Sequence, residues 1–135
     1  MRLSSASEDL TTVEWLRRYR WLDVGPDYRA IGAWDSHGAL MGVVAFTNWL
    51  GATAHAHLAL PNPLCGPRLL KAFDDYAWKR CKLKAVIATV PAGAPIERVA
   101  RGIGFRDVGT VQQGCEPHDL LILQLRPEYR EQLCQ

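Results

Sequence analysis

The sequence predicts a mixed α/β fold of the α+β kind, in the order helix, β-β-β, helix, β, helix, β-β. Three observations carry that reading. Short runs of alternating apolar and polar residues, parted by turn residues, fill positions 28–60 and read as antiparallel strands. A helix pattern, a β-branched run and a second helix pattern follow one another over 66–103, about the length of one α/β unit. Two more strand-like runs, 105–111 and 120–125, close the chain. A length of 135 residues, 48% of them hydrophobic and five of them Trp, suits a single domain over 1–135 with a substantial core.

Positions 1–6 carry no pattern and read as a loose start. Val13, Trp15, Leu16, Tyr19 and Leu22 recur near a helical period, and Gly25-Pro26 should end that helix. Ser5 with Glu8, and Thr11 with Glu14, have capping-box spacing. Positions 28–34 and 40–46 flank Asp35-Ser36-His37-Gly38, whose composition is that of a hairpin turn. After a turn at Gly51, a third strand over 53–60 puts Ala54, Ala56, Leu58 and Leu60 on one face, the expected core side. Thr53, His55 and His57 fall on the other. Pro61-Asn62-Pro63 stops it, and Pro67 suits the first turn of a helix. That helix presents Leu69, Phe73, Tyr76 and Arg80, widened by Leu70 and Ala77. Positions 84–90 read as a buried strand. Ile96, Val99, Ala100 and Ile103 keep i, i+3, i+4, i+7 spacing. Gly104 is placed to end that helix, and Phe105 to fold back onto it. The polar tail from Pro127 reads as a short helix or a loosely ordered segment.

Composition narrows the function classes. A net charge of +2 is too weak to argue for nucleic acid, and Arg17, Arg18 and Arg20 read as a solvated helix face. No basic start leads into an apolar run, and no segment approaches the ~18 apolar residues of a membrane span. Cys65, Cys81, Cys115 and Cys134 include no C-x-x-C pair, so a cytoplasmic setting with reduced thiols is expected. A homodimer is left open.

The chemistry-bearing residues gather around the third strand and the helix after it. Gly66 and Pro67 open that helix, so a row of free backbone N–H groups is expected at 65–69, with Arg68 or Lys71 adding charge. Helix N-termini bind phosphates for that reason. His55 and His57 lie two apart and face one way. With Cys65 they would suggest zinc, but four correctly spaced ligands are missing and no metal is expected. One of the two could act as a general base, since imidazole titrates near neutrality; the alternative is a half-buried polar sheet face. Asn48 and Trp49, just before Gly51, are the candidates for an acceptor pocket, while Trp34 and Trp78 read as core. A cysteine at a helix start favours the thiolate. Cys65 has no His-Asp arrangement around it, so it reads as a small residue that fits the turn.

The segment Gly93-Ala94-Pro95-Ile96-Glu97-Arg98-Val99-Ala100-Arg101-Gly102-Ile103-Gly104-Phe105 resembles the N-x-x-A-x-R-L-x-x-x-L-G-F motif of the GNAT superfamily of acetyl-CoA-dependent N-acetyltransferases. Arg98, Val99, Ile103, Gly104 and Phe105 match it, and Arg106-Asp107-Val108-Gly109 resembles the R-x-E-G continuation. The likeness covers 66–109 and, more loosely, 28–60, and is nearest to compact, phage-type members. Three positions depart from it. Gly93 stands for the motif's Asn. Ala100 stands where a tyrosine often protonates the leaving thiolate. The Q/R-x-x-G-x-G/A turn is reduced to Asn62-Pro63-Leu64-Cys65-Gly66-Pro67-Arg68.

The resemblance implies a GNAT-like mixed sheet with helices on both faces, and transfer of acetyl from acetyl-CoA to a primary amine by direct attack. Backbone N–H groups of His57, Leu58, Ala59 and Leu60 would stabilise the oxyanion. Cys65, Gly66, Arg68, Leu69 and Arg98 would complete the cofactor contacts. The thiolate would take its proton from water or another donor, since Ala100 cannot supply one. The second reading is a non-catalytic GNAT-fold binding or structural protein, such as a phage component. The amine acceptor, protein or small molecule, stays open.

Overall fold

The computed structural model describes residues 1–8, 10–20 and 27–133. The chain divides into two compact units, Met1–Leu83 and Lys84–Gln135.

The first unit holds β1 (Arg2–Leu3), α1 (Leu10–Arg20), β2 (Arg29–Trp34), β3 (Leu40–Thr47), β4 (Thr53–Ala59) and α2 (Gly66–Asp74). Its strands lie in the order β1-β2-β3-β4, each antiparallel to the next. The antiparallel N-terminal half is as the sequence predicts. Strand β3 is central and buried on both faces, from Gly42 to Thr47. Val43 and Ala45 pack with Val13 and Leu16 of α1 and with Ala30 and Ala59. Phe46 points the other way and stacks on Phe73 of α2, ring centroids 5.2 Å apart. Helices therefore cover both faces of this sheet. Full burial of one such aromatic is worth about 1.5–3 kcal/mol.

The first residues are not loose. Arg2 and Leu3 pair with Trp34 and Ala33, Ser7 exchanges two backbone bonds with Ala30, and the Arg2 guanidinium lies over the Trp34 ring. A two-residue strand is too short to show periodicity. Neither capping-box pair caps a helix. Ser5 and Glu8 lie ahead of α1, and Thr11 is already inside it. Position 9, Leu22 and the expected stop at Gly25-Pro26 lie outside the described residues. Thr12 is fully buried because Gly32 leaves it room: a Cβ on Gly32 would stand 2.9 Å from the Thr12 γ-methyl.

Leu69 and Phe73 are buried along α2, and Ala77 continues their row. Arg80 leaves the predicted face. Residues Asp75–Arg80 continue α2 as a π-helical turn, with Cys81 N–H donating to the Tyr76 carbonyl. The wider i→i+5 turn rotates Arg80 into solvent. Trp78 is half-buried, edge-on to Phe73, with its indole N–H on Asp74 Oδ1 at 2.9 Å.

The second unit holds β5 (Ala85–Pro91), α3 (Pro95–Ile103), β6 (Arg106–Cys115), β7 (His118–Leu125) and α4 (Pro127–Leu133). Its antiparallel strands run β5-β7-β6. The spacing of α3 overstates its burial: Ala100 is buried, but Val99 is 38% exposed. Gly104 ends the helix as expected, at φ 122°, its N–H on the carbonyls of Ala100 and Arg101, and Phe105 folds into the core. Over Pro127–Leu133 the tail is a helix. Arg130 donates to the Ile103 carbonyl at 2.8 Å, and the Arg106 guanidinium stacks 3.7 Å from the centroid of Tyr129.

Gly104→Val should cost ~1–3 kcal/mol. Its φ disfavours a branched residue, and a Cβ there would meet the Leu133 side chain at 3.1 Å. The check is thermal unfolding; an unchanged Tm would contradict the cap.

Candidate functional site

Strand β4 carries the candidate catalytic residues. Its pairing with β3 places His57 opposite Ala45 and His55 opposite Thr47. Both rings therefore project on the α1 side of the sheet, since Ala45 packs there. Ala54 and Ala56 are buried on the α2 side, as the alternation predicts. The pattern breaks beyond them, where Leu58 is half-buried and Ala59 fully buried under α1. Both histidines are half-buried, and Nε2 of His57 is fully buried. Nδ1 of His55 lies 3.5 Å from the Asn48 side-chain nitrogen. Asn48 is exposed at φ 52°, in the turn between β3 and β4. In an antiparallel ladder alternate N–H groups point away from the partner strand. Among His57, Leu58, Ala59 and Leu60, alternate amides thus face away from β3.

Trp49 goes to the opposite face from His55. Its ring stacks on Phe46 at 6.0 Å and stands edge-on to Tyr76 at 6.3 Å, while its indole N–H donates to the Asp27 carbonyl at 2.8 Å. Asn48 thus sits beside His55, and Trp49 belongs to the aromatic group under α2. In that group burial, then a hydrogen bond with Cys81, pushes the Tyr76 phenol up to about 12. It stays protonated throughout the neutral range.

The head of α2 differs from the expected row of free amides. Residues Pro63–Cys65 form a 3-10 turn. Asn62 Oδ1 accepts from Leu64 N–H at 3.0 Å, Asn62 carbonyl from Cys65 N–H at 3.3 Å, and Pro63 carbonyl from Gly66 N–H. Pro67 has no N–H to offer. The turn thus takes up the amides of Leu64, Cys65 and Gly66 itself. What the head does offer is access and charge. A Cβ on Gly66 would meet nothing within 4 Å, and Arg68 is exposed, with one guanidinium nitrogen on the Met1 carbonyl at 3.0 Å. Five N–H groups on a guanidinium leave donors for an anion beside that bond.

Cys65 is fully buried, and its thiol donates to the carbonyls of Asn62 at 3.1 Å and Met41 at 3.5 Å. Burial raises its pKa. Desolvation thus opposes the thiolate that a helix start would favour. Leu69 is buried, so only its backbone can reach a ligand. Arg98 stands exposed on α3, in the second unit. Among the described residues no three His, Cys, Asp or Glu side chains cluster as metal ligands would. No described helix is long and apolar enough to cross a membrane.

Gly42, Asn62 and Tyr76 were not among the predicted site residues. An Asn-Pro pair commonly opens a turn with its own side chain as acceptor, so Asn62 was legible. Gly42 was not, because only the packing of α2 on β3 shows that its missing Cβ is needed.

No protein-family model matches the chain, and no curated protein matches it in sequence. Solved structures do match it in fold. A dodecameric spermidine N-acetyltransferase from Vibrio cholerae superposes with a TM-score of 0.69 at 16% identity, over 92% of this chain and 93% of that one. A chimera of the Vibrio cholerae enzyme SpeG with hSSAT gives 0.72 at 15% identity, over 97% and 99%. A second such chimera gives 0.67 at 13%, over the whole of both chains. These are one bacterial enzyme and its variants, so the phage-type likeness finds no support in them. The fold is the mixed α/β fold of GNAT N-acetyltransferases.

At pH 8, iodoacetamide should label Cys81 and Cys115, which are half-buried, and leave Cys65 unmodified until denaturant is added. Peptide mass spectrometry reads the order. Equal labelling of Cys65 would show that its thiol is neither buried nor suppressed.

Proposed function

We propose that this protein is an N-acetyltransferase that moves an acetyl group from acetyl-CoA to a primary amine by direct attack, the 135 residues working as one domain. The observation that supports it most is a GNAT fold matched over nearly the whole chain to amine acetyltransferases. Acetyl-CoA supplies an activated acyl group as a thioester. The open approach at Gly66 and the exposed Arg68 fit a phosphate at the head of α2. The satisfied amides of Leu64, Cys65 and Gly66 mean that charge carries more of that contact than ready-made N–H donors do. Outward-facing amides of β4 serve the developing oxyanion. Arg98 keeps its proposed place in cofactor binding and Asn48, beside His55, its place in acceptor binding, whereas Trp49, turned to the opposite face against Phe46 and Tyr76, leaves the acceptor pocket. His55 is the better placed base, beside Asn48 at the start of β4. A polyamine heads the acceptor candidates, because the structural neighbours are named spermidine N-acetyltransferases.

The test is thiol release with an amine panel that includes spermidine, from pH 6 to 9. The rate should climb with pH, because only the neutral amine attacks and a free amine has a pKa well above 7. His57→Ala should cost far less than the roughly 100-fold of a lost general base. A loss of that size at His57 with folding intact would move the base there. CoA binding without turnover on any amine would overturn catalysis and leave the binding reading.

Arg68→Glu should weaken CoA binding several-fold more than Lys84→Glu, which reverses an exposed charge just ahead of β5. Calorimetry compares the two. Equal losses would remove Arg68 from the phosphate site.

A further inference from the structure

We infer that Gly42 and Cys65 are a size-matched pair of positioning residues that set the head of α2 on β3, and through it the phosphate contact. The inference rests on the acetyl-CoA reading above. A Cβ on Gly42 would stand 2.7 Å from Cys65 Sγ, 3.0 Å from Leu60 Cδ2 and 3.2 Å from the Ala59 carbonyl oxygen. Real Cβ atoms essentially never come within 3.0 Å of a neighbour, so any side chain there displaces the thiol or the end of β4.

The thiol has little freedom to move. It is fully buried and donates to Asn62 and Met41 carbonyls. Asn62 N–H donates to the same Met41 carbonyl at 3.3 Å. The link from β4 to α2 is therefore fastened at one point on β3, Met41-Gly42. Everything proposed to meet the phosphate hangs from it: the Asn62-held turn, the open approach at Gly66, and Arg68 two residues further on. Cys65 touches no reacting atom in this scheme. It acts through the backbone it anchors, by its volume and its hydrogen bonds.

The experiment compares wild type, Gly42→Ala, Cys65→Ala and the double variant, well below their melting temperatures. It reads the Kd for CoA by calorimetry and the separate KM values for acetyl-CoA and for the best amine. Gly42→Ala should weaken CoA by about tenfold, since overpacking this contact forces a shift of the backbone that carries Arg68. The KM for the amine should stay within about twofold, because the head of α2 is not proposed to touch the acceptor. The double variant, which gives the new methyl the space of the missing sulfur, should recover most of the affinity. Cys65→Ala introduces no clash and covers the case in which Gly42→Ala fails to fold; it should weaken CoA on its own, and wild-type affinity in it would overturn the inference. So would wild-type affinity in Gly42→Ala, a double variant no better than Gly42→Ala, or equal rises in both KM values. A wild-type protein that binds no CoA would instead overturn the acetyl-CoA reading and this inference with it.

Discussion

Strand β3 is the constraint on which the first unit depends. A strand buried on both faces must satisfy its backbone through neighbours on both edges and offer a packing surface on each side. Strands β2 and β4 supply the edges, and α1 and α2 the faces. Val43 and Ala45 are small, so α1 comes close; Phe46 is large, and α2 answers with aromatic rings. Two glycines adjust the fit. Gly32 on β2 makes room for Thr12 of α1, and Gly42 on β3 makes room for Cys65 at the head of α2. In each case a missing Cβ lets a helix end settle on the sheet. A methyl group there would overpack a site with no slack.

That seating explains the electrostatics at the head of α2. A helix N-terminus in open solvent would keep free amides and favour a nearby anion. Here the chain enters from β4 through Pro61-Asn62-Pro63, and the turn folds tightly enough for Asn62 to take the Leu64 amide. Cys65 then goes inward, where desolvation keeps its thiol neutral. The same inward packing holds the Tyr76 phenol protonated. The chargeable group left exposed in the first turn is Arg68. The α2 head thus presents an exposed guanidinium over an open backbone, with the amides of Leu64, Cys65 and Gly66 already bonded.

The second unit uses a different device. Helix α3 has a modest apolar face and depends on its C-terminal end. Gly104 turns the chain, Phe105 folds inward, and α4 covers the open end through Arg130 on the Ile103 carbonyl. Glu97, Arg101 and Asp107 add an exposed ion network across the same corner. Exposed pairs contribute little each, so Gly104, Phe105 and α4 carry more of this corner than the ions do. Leu133 and Leu125 close over Gly104, so the tail is part of the unit.

The sequence by itself determined the order of the long elements, the antiparallel first half and the cap at Gly104, because these follow from period, turn chemistry and φ preference within a few residues. It also carried a motif that pointed to the GNAT fold, which the structural likeness bears out. Its reading of the helix head was incomplete. Glycine and proline at 66–67 mark a helix start correctly, but the amides of Cys65 and Gly66 are taken by the carbonyls of Asn62 and Pro63 in the turn just before it. Tertiary structure decided the rest. The β1 pairing, the parting of Trp49 and His55 to opposite faces, and the Gly42–Cys65 contact all depend on distant partners. A local pattern gives the side a residue faces; what it meets there is set by the element that packs on that side.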